Sequence, residues 1–160
     1  MMLKSFSSAE TGRFANKFAA SLLDGGALRR RRSGAFVIAL SGELGAGKTT
    51  FAQGFAKGLG IRRRIISPTF VFVRRYFLQR RNKQQATRDK GQAQFFFHID
   101  AYRIRKADDL KGLCLEEIFA DSKNLVFVEW PENIKMLLPK DTTWVRMRYG
   151  GHENERVISN

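Results

Sequence analysis

The sequence predicts an α/β fold in which helices cover both faces of a central mixed, mostly parallel sheet. Apolar runs of strand length, at 35–40, 95–100 and 125–130, alternate with segments that have helical periodicity. A run that is apolar on both faces is typical of a strand buried between two helical layers. Because such strands alternate with helices, we expect a three-layer sandwich. The β-rich segment 70–77 is not separated from the next strand by a helix, which suggests that the sheet is mixed rather than entirely parallel.

The first predicted element is an amino-terminal helix. Residues 7–10 read Ser-Ser-Ala-Glu, which is a capping box, and Phe14, Phe18 and Leu22 follow at four-residue steps. These side chains share one face of the helix, so we expect them to pack on the core. The glycines after Asp24 end the helix.

The elements after the first apolar strand are predicted in the same way, from the spacing of apolar residues and from the glycines and prolines that end or begin elements. A glycine-rich loop leads into a second helix, and a proline opens a late short helix. Apolar and polar residues alternate in segment 142–149, which is typical of a strand, and we expect this strand to pair with a short strand at 156–158. The predicted elements are a helix at 48–59, helical patterning at 108–119, a short helix at 131–138, and strands at 142–149 and 156–158.

Length and composition favour one globular domain over residues 1–160. The hydrophobic fraction is 43%, and no apolar run approaches the roughly 20 residues that span a bilayer. The chain has one cysteine, Cys114, and two histidines, which excludes an internal disulfide and a Cys/His zinc cluster. We therefore expect a soluble, cytoplasmic protein without a membrane contact.

The net charge of +14 is concentrated in a few basic clusters. They lie at 29–32, 62–64, 74–75 and 80–90, and the last belongs to segment 79–94, a polar stretch that we expect to be a flexible basic insert loop. The clusters are either an electrostatic footprint for RNA or solvated loops. Clustering alone does not decide between the two.

A complete phosphate-binding motif follows the first apolar strand. It matches G-x-x-x-x-G-K-[ST] and reads Gly42-Glu43-Leu44-Gly45-Ala46-Gly47-Lys48-Thr49. Glycines let the backbone wrap closely around phosphate, and the following helix adds its positive end. Lys48 reaches the β- and γ-phosphates, and the Thr49 hydroxyl ligates magnesium. The strand–loop–helix order therefore predicts a P-loop NTPase-like domain that binds ATP or ADP with Mg²⁺.

Two acidic residues stand directly after buried strands. Asp100 ends the run 95–99, and Glu129 ends the run 125–128. Acids at this edge of a sheet lie where ligands bind, and a P-loop needs a second acid for its metal ion or its water. The sequence leaves open which of the two ligates the metal.

Four motifs in order resemble the TsaE (YjeE) family, the ATPases of bacterial tRNA threonylcarbamoyladenosine synthesis. The similarity runs from about Ser7 to Ile158. The motifs are the P-loop through Thr50, Ser67-Pro68-Thr69-Phe70, His98-Ile99-Asp100-Ala101-Tyr102-Arg103, and Glu129-Trp130-Pro131-Glu132.

The resemblance implies a role for each matching residue. Lys48, Asp100 and Glu129 would be catalytic, and Thr49, Asp100 and Glu129 would serve the metal. Ser67, Pro68 and Thr69 would form a switch-like segment on the γ-phosphate side. The implied nucleotide-binding set is Thr11, Glu43, Leu44, Gly45, Ala46, Gly47, Lys48, Thr49, Thr50 and Trp130.

The resemblance also implies a biological role. The chain would bind and hydrolyse ATP to reset a partner transferase complex of the TsaD–TsaB type, and the basic loops are a candidate contact for tRNA. We see no arginine finger at a motif position, so we expect slow hydrolysis by the isolated protein. Two alternatives remain at this point: a small-molecule kinase, and a basic RNA-binding module with a nucleotide switch.

Overall fold

A computed structural model describes residues 2–24, 33–63, 65, 68, 71–78 and 93–160. Most of the insert predicted at 79–94 and the arginine run at 29–32 therefore lie outside the described residues. Within these ranges, no helix combines the length and the apolarity that a membrane crossing requires.

The described residues form one sheet of seven strands in the order β1-β7-β6-β2-β5-β4-β3. The central strands β6, β2, β5 and β4 pair in parallel, and the pairs β1–β7, β7–β6 and β4–β3 are antiparallel. The strands are β1 (Met2–Ser5), β2 (Phe36–Gly42), β3 (Val73–Phe77), β4 (Phe95–Asp100), β5 (Asn124–Glu129), β6 (Thr143–Tyr149) and β7 (Arg156–Ser159).

The strand directions confirm a mixed, mostly parallel sheet. Strand β1 is antiparallel to β7, which is itself antiparallel to β6, so β1 runs in the same direction as the four central strands. The predicted pairing of the last two strands is confirmed by the β6–β7 ladder. The sequence analysis missed β1, a four-residue edge strand in which only Ser5 is buried.

Helices cover both faces of the sheet, which confirms the three-layer sandwich. Helices α1 (Ser8–Asp24) and α2 (Lys48–Gly58) pack on one face, against the side chains of Ile38, Leu40 and Phe127. Helix α3 (Leu115–Ala120) and a 3₁₀ segment, Pro131–Leu137, cover the other face, where Val126 and Val128 are buried.

Helix α1 begins and packs largely as its sequence predicts. The Ser7 hydroxyl accepts the N–H of Glu10 at 3.2 Å, but the Glu10 carboxylate accepts the N–H of Phe6, at 2.7 Å, rather than that of Ser7. The rings of Phe14 and Phe18 lie 6.1 and 6.4 Å from that of Phe51 in α2. The predicted apolar face therefore contacts the core.

The helical pattern predicted at 108–119 forms two short elements instead of one helix. A 3₁₀ turn spans Ala107–Leu110, and α3 begins only at Leu115. Between them Gly112 and Cys114 have φ values of 77° and 50°, which a right-handed helix cannot contain. The late helix opens at Pro131 as predicted, but it is a 3₁₀ segment with a kink at Ile134.

Two glycines of α2 allow α1 to approach closely. A Cβ added at Gly54 would overlap the backbone of Gly12, and one at Gly58 would overlap the backbone of Asn16 and the side chain of Ala19. Backbone atoms cannot move aside cheaply, so the two helices are held at a fixed separation.

We expect Gly54→Ala to lower the free energy of unfolding by about 1–3 kcal/mol, because the added methyl group overpacks the helix contact. Alanine normally stabilises a helix by about 1 kcal/mol relative to glycine. Urea denaturation measures the difference. Gly12→Ala is the matched control, because its Cβ meets nothing within 4 Å, and it should be neutral or stabilising. Equal effects of the two substitutions would contradict the close helix contact.

Candidate nucleotide-binding site

The phosphate-binding motif lies at the carboxyl end of β2, which is flanked by β6 and β5. The loop leads directly into α2, which begins at Lys48. Gly47 has φ 94°, and a Cβ at Gly45 would meet the Tyr149 hydroxyl of β6. That hydroxyl donates a hydrogen bond to the Leu44 carbonyl at 2.8 Å. Both glycines have a positive φ, 76° at Gly45 and 94° at Gly47, which favours glycine at both positions.

The Lys48 ammonium is held within the loop. The residue is 5% exposed, and Nζ donates hydrogen bonds to the Gly42 and Glu43 carbonyls at 2.7 and 2.8 Å. Nζ also lies 3.6 Å from the centroid of the Trp130 ring, a cation–π contact. The charge is thus positioned at the mouth of the loop by two carbonyl groups and one aromatic face.

Burial and nearby carboxylates act on Lys48 in opposite directions. Burial lowers the pKa of Lys48 below its usual value of 10.5, and Glu129, Glu132, Asp100 and Glu43 oppose that shift. Phosphate groups entering the cavity add negative charge beside the ammonium, so they favour its charged form.

The two predicted acids are neighbours across the β4–β5 ladder, where Asp100 is the register partner of Glu129. Both are buried. The Thr49 hydroxyl donates to Glu129 Oε2 at 3.4 Å, and Asp100 Oδ1 accepts the N–H of Tyr102 at 3.0 Å. A hydroxyl and two carboxylates are oxygen ligands of the kind that Mg²⁺ prefers.

These oxygens fit a magnesium ion only together with further ligands. No group of three or more His, Cys, Asp or Glu side chains among the described residues could hold a metal ion. In P-loop sites Mg²⁺ is bound by few protein ligands and by the phosphates of the nucleotide. The donor set at Thr49, Asp100 and Glu129 matches that requirement.

A buried histidine that the sequence analysis did not assign holds Glu129 in place. His98 Nε2 lies 2.7 Å from Glu129 Oε1, and the two side chains are 0% and 2% exposed. His98 Nδ1 is buried without a hydrogen-bond partner among the described residues. With the proton on Nε2 the ring donates to the carboxylate, and the unpaired nitrogen is only an acceptor. His98 therefore orients Glu129 toward Thr49.

One cavity of about 390 Å³ brings most of the predicted residues together. Tyr102 also lines it, and its ring centroid lies 5.0 Å from that of Trp130. Trp130 has φ 58°, so the residue that follows Glu129 has a left-handed backbone at the rim. The cavity is lined by Leu44, Gly45, Gly47, Lys48, Thr49, Thr50, Asp100, Tyr102, Glu129 and Trp130.

Three members of the implied nucleotide-binding set do not line this cavity. Thr11 is buried in α1, where its hydroxyl lies 2.8 Å from that of Ser5. Ala46 is buried inside the loop, and Glu43 contributes its carbonyl to Lys48. Contacts of these three residues with a nucleotide stay predictions.

The switch-like segment is described only at Pro68, since Ser67 and Thr69 lie outside the described residues. The Pro68 carbonyl accepts the N–H groups of Val71 and Phe72 at 2.9 and 2.6 Å. The Phe72 carbonyl in turn accepts the N–H of Asp100 at 2.9 Å. A backbone hydrogen-bond path thus joins Pro68 to the end of β4.

Comparison with known proteins identifies the family. The model of the family described as threonylcarbamoyl adenosine biosynthesis protein TsaE matches residues 5–158. The chain belongs to the TsaE family.

Two relatives of this family are named tRNA threonylcarbamoyladenosine biosynthesis protein TsaE. The protein from Bacillus subtilis is 36% identical over 123 residues, which are 77% of this chain and 67% of the relative. The protein from Rickettsia bellii is 34% identical over 143 residues, which are 89% and 82%. The crystal structure of YdiB from Bacillus subtilis is similar with a TM-score of 0.66 at 28% identity, covering 99% of this chain and 82% of that one.

We expect His98→Phe to lower the free energy of unfolding by about 1–3 kcal/mol, because Glu129 loses its donor while it stays buried. Urea denaturation measures the loss. Phe127→Leu is a packing control on the same ring cluster. A double-mutant cycle of His98→Phe with Glu129→Leu should show a coupling of at least about 0.5 kcal/mol. Additive effects would mean that the contact contributes nothing.

Proposed function

We propose that the chain, as one nucleotide-binding domain, is an ATP-binding and ATP-hydrolysing subunit for threonylcarbamoyl modification of adenosine in tRNA, acting in the cytoplasm. The observation that carries the proposal is the convergence of Lys48, Thr49, Asp100 and Glu129 on one cavity beside a complete P-loop. Membership of the TsaE family supplies the biological context.

Each residue has a distinct part in phosphate chemistry. The loop amides and Lys48 would bind the β- and γ-phosphates and offset their charge. Thr49 would hold the metal ion, and Glu129, which lies 3.4 Å from the Thr49 hydroxyl, and Asp100 on the neighbouring strand would serve the metal ion and orient the attacking water. Bound magnesium supplies Lewis-acid stabilisation of the phosphate oxygens.

The residues that line the cavity lead us to expect that the isolated protein hydrolyses ATP slowly. Among its described lining residues, Lys48 is the cation, and arginine is absent. An arginine supplied to the transition state accounts for large rate increases in P-loop enzymes. We therefore expect a partner complex of the TsaD–TsaB type to complete the site and to be reset by hydrolysis.

Lys48→Ala should weaken Mg²⁺–nucleotide binding at least about tenfold, because charge-assisted hydrogen bonds contribute about 1.5–3 kcal/mol each. Isothermal titration calorimetry with a non-hydrolysable ATP analogue measures this. Lys135→Ala is the matched control, since Lys135 is exposed on the 3₁₀ segment. Wild-type affinity in the Lys48 variant would refute the site.

Glu129→Gln and Asp100→Asn should each lower ATP turnover at least about tenfold while nucleotide still binds. Each substitution removes one carboxylate charge from the part of the cavity where the metal ion and the attacking water would lie. The assay follows labelled phosphate with and without a TsaD–TsaB type complex. Label should appear as free phosphate, and the complex should raise the rate. Transfer of label to an acceptor would indicate a kinase instead.

Nucleotide binding should change the fluorescence of Trp130, because phosphates compete for the ammonium that now lies 3.6 Å from its ring. Titration of the protein with Mg²⁺–ADP measures the change. Trp130→Phe should abolish it, whereas Trp144→Phe, which removes the other tryptophan, should keep it. A signal that follows Trp144 would place the nucleotide elsewhere.

A further inference from the structure

A continuous groove runs along the outer surface of the two helices that cover one face of the sheet. Its first part has a volume of about 510 Å³ and lies between α1 and α2. The second part, of about 480 Å³, follows the carboxyl end of α2 and the residues after it. Gln53 and Lys57 line both parts, so the two cavities join at these side chains.

The groove carries uncompensated positive charge. Lys17 and Lys57 line its helical part, and Arg62 and Arg63 line its far end. All four are exposed, and none forms a salt bridge within the described ranges. No aspartate or glutamate is among the described residues that line either cavity. These four residues are named here the cationic track.

Close contacts fix the position of α1, of α2 and of the chain that follows α2, the segments that carry the cationic track. Gly54 and Gly58 bring α1 into backbone contact with α2, which fixes the distance between the two helices. The Gln53 amide donates to the Ile65 carbonyl at 3.1 Å, which ties the chain after α2 back to that helix. The backbone positions of Lys17 and Lys57 are therefore fixed relative to each other, so little backbone ordering is needed when a ligand binds.

The kinds of side chain that line the groove distinguish its ligand class. In the part of the chain that the structure describes, none of the large hydrophobic side chains exposed elsewhere, such as Phe6, Leu44 and Met136, lines the groove. Protein interfaces have a core of aromatic and aliphatic side chains, whereas nucleic-acid interfaces are polar and strongly positive. A linear groove with cations along it matches a phosphodiester backbone better than a protein surface.

We propose that the cationic track binds the sugar–phosphate backbone of RNA, with Lys17, Lys57, Arg62 and Arg63 as phosphate ligands. Such contacts position an RNA without reading its sequence. The choice of tRNA as the RNA rests on the proposed function, whereas the track itself is defined by charge and shape. None of the four track residues lines the phosphate cavity, so we expect nucleotide binding to be unchanged when they are replaced.

The test compares wild-type protein with a variant in which all four track residues are changed to glutamine. Binding of fluorescently labelled tRNA is followed by anisotropy between 50 and 200 mM KCl. Losing four phosphate contacts should weaken binding at least about tenfold at 100 mM and make the slope of log K against log salt shallower by roughly 3. The double variants Lys17→Gln/Lys57→Gln and Arg62→Gln/Arg63→Gln should each produce about half of that change in slope.

The matched control removes the same charge from exposed residues that do not line the groove. Arg105, Lys123, Lys135 and Lys140 are exposed, and their change to glutamine also lowers the net charge by four. This control should keep most of the tRNA affinity. Equal losses in both variants, or no loss in the track variant, would overturn the proposal, because binding would then follow net charge or another surface.

Two further measurements separate this proposal from the proposed function. Mg²⁺–nucleotide affinity should be unchanged in the track variants, and the Lys48→Ala variant should still bind tRNA. Loss of nucleotide binding in the track variant with intact tRNA binding would assign the groove to the nucleotide and overturn the proposal. Loss of binding to a TsaD–TsaB type complex with intact tRNA binding would assign it to an acidic protein surface and would also overturn it.

Discussion

The parallel register of β2, β5 and β4 is the constraint on which the rest of the site depends. Leu40 pairs with Glu129, and Glu129 pairs with Asp100, so the three strands end at the same level. The phosphate-binding loop begins two residues after Leu40. A shift of one residue in either ladder would turn a carboxylate to the opposite face of the sheet. Such a shift would also separate His98 from Glu129, whose side chains lie 2.7 Å apart in the buried interior, and leave both without this partner.

That register also explains why so many polar groups are buried at one edge. Lys48, His98, Asp100 and Glu129 are all nearly inaccessible, and burying charge is costly unless it is paired. Here the ammonium lies against carbonyls and an aromatic ring, and the Glu129 carboxylate lies between His98 and Thr49. These polar groups are therefore paired with one another across three segments of the chain: the phosphate-binding loop with the start of α2, the end of β4, and the end of β5.

The sequence predicted the central strands, the phosphate-binding loop and the two acids, because each is encoded by residues that are close together in the chain. It did not predict β1, since a four-residue edge strand with one buried side chain has no usable periodicity. The pattern at 108–119 was interpreted as one helix, whereas positive φ values at Gly112 and Cys114 divide it. Those values depend on tertiary packing, which hydrophobic periodicity does not report.

His98 shows the same limit at the site itself. Its partner Glu129 is 31 residues away, so no local pattern joins them. One signal was present: His98 and Asp100 are two residues apart on a strand and therefore point to the same face. A polar residue at that spacing within an otherwise apolar run indicates a buried partner. The spacing alone could not identify the partner, because the identity of the neighbouring strand comes from the topology.

The carbonyl contacts of Lys48 have a consequence for ligand choice. In this conformation the ammonium already satisfies two hydrogen bonds, to Gly42 and Glu43. The binding free energy that an incoming molecule gains at Lys48 is only a difference. It is the difference between the hydrogen bonds that the ammonium donates to anionic oxygens of the ligand and those that it already donates to the two carbonyl groups. A ligand without anionic oxygens has no group that could replace these two carbonyls at the ammonium. We therefore expect a ligand to displace these contacts through its anionic oxygens, whatever its base.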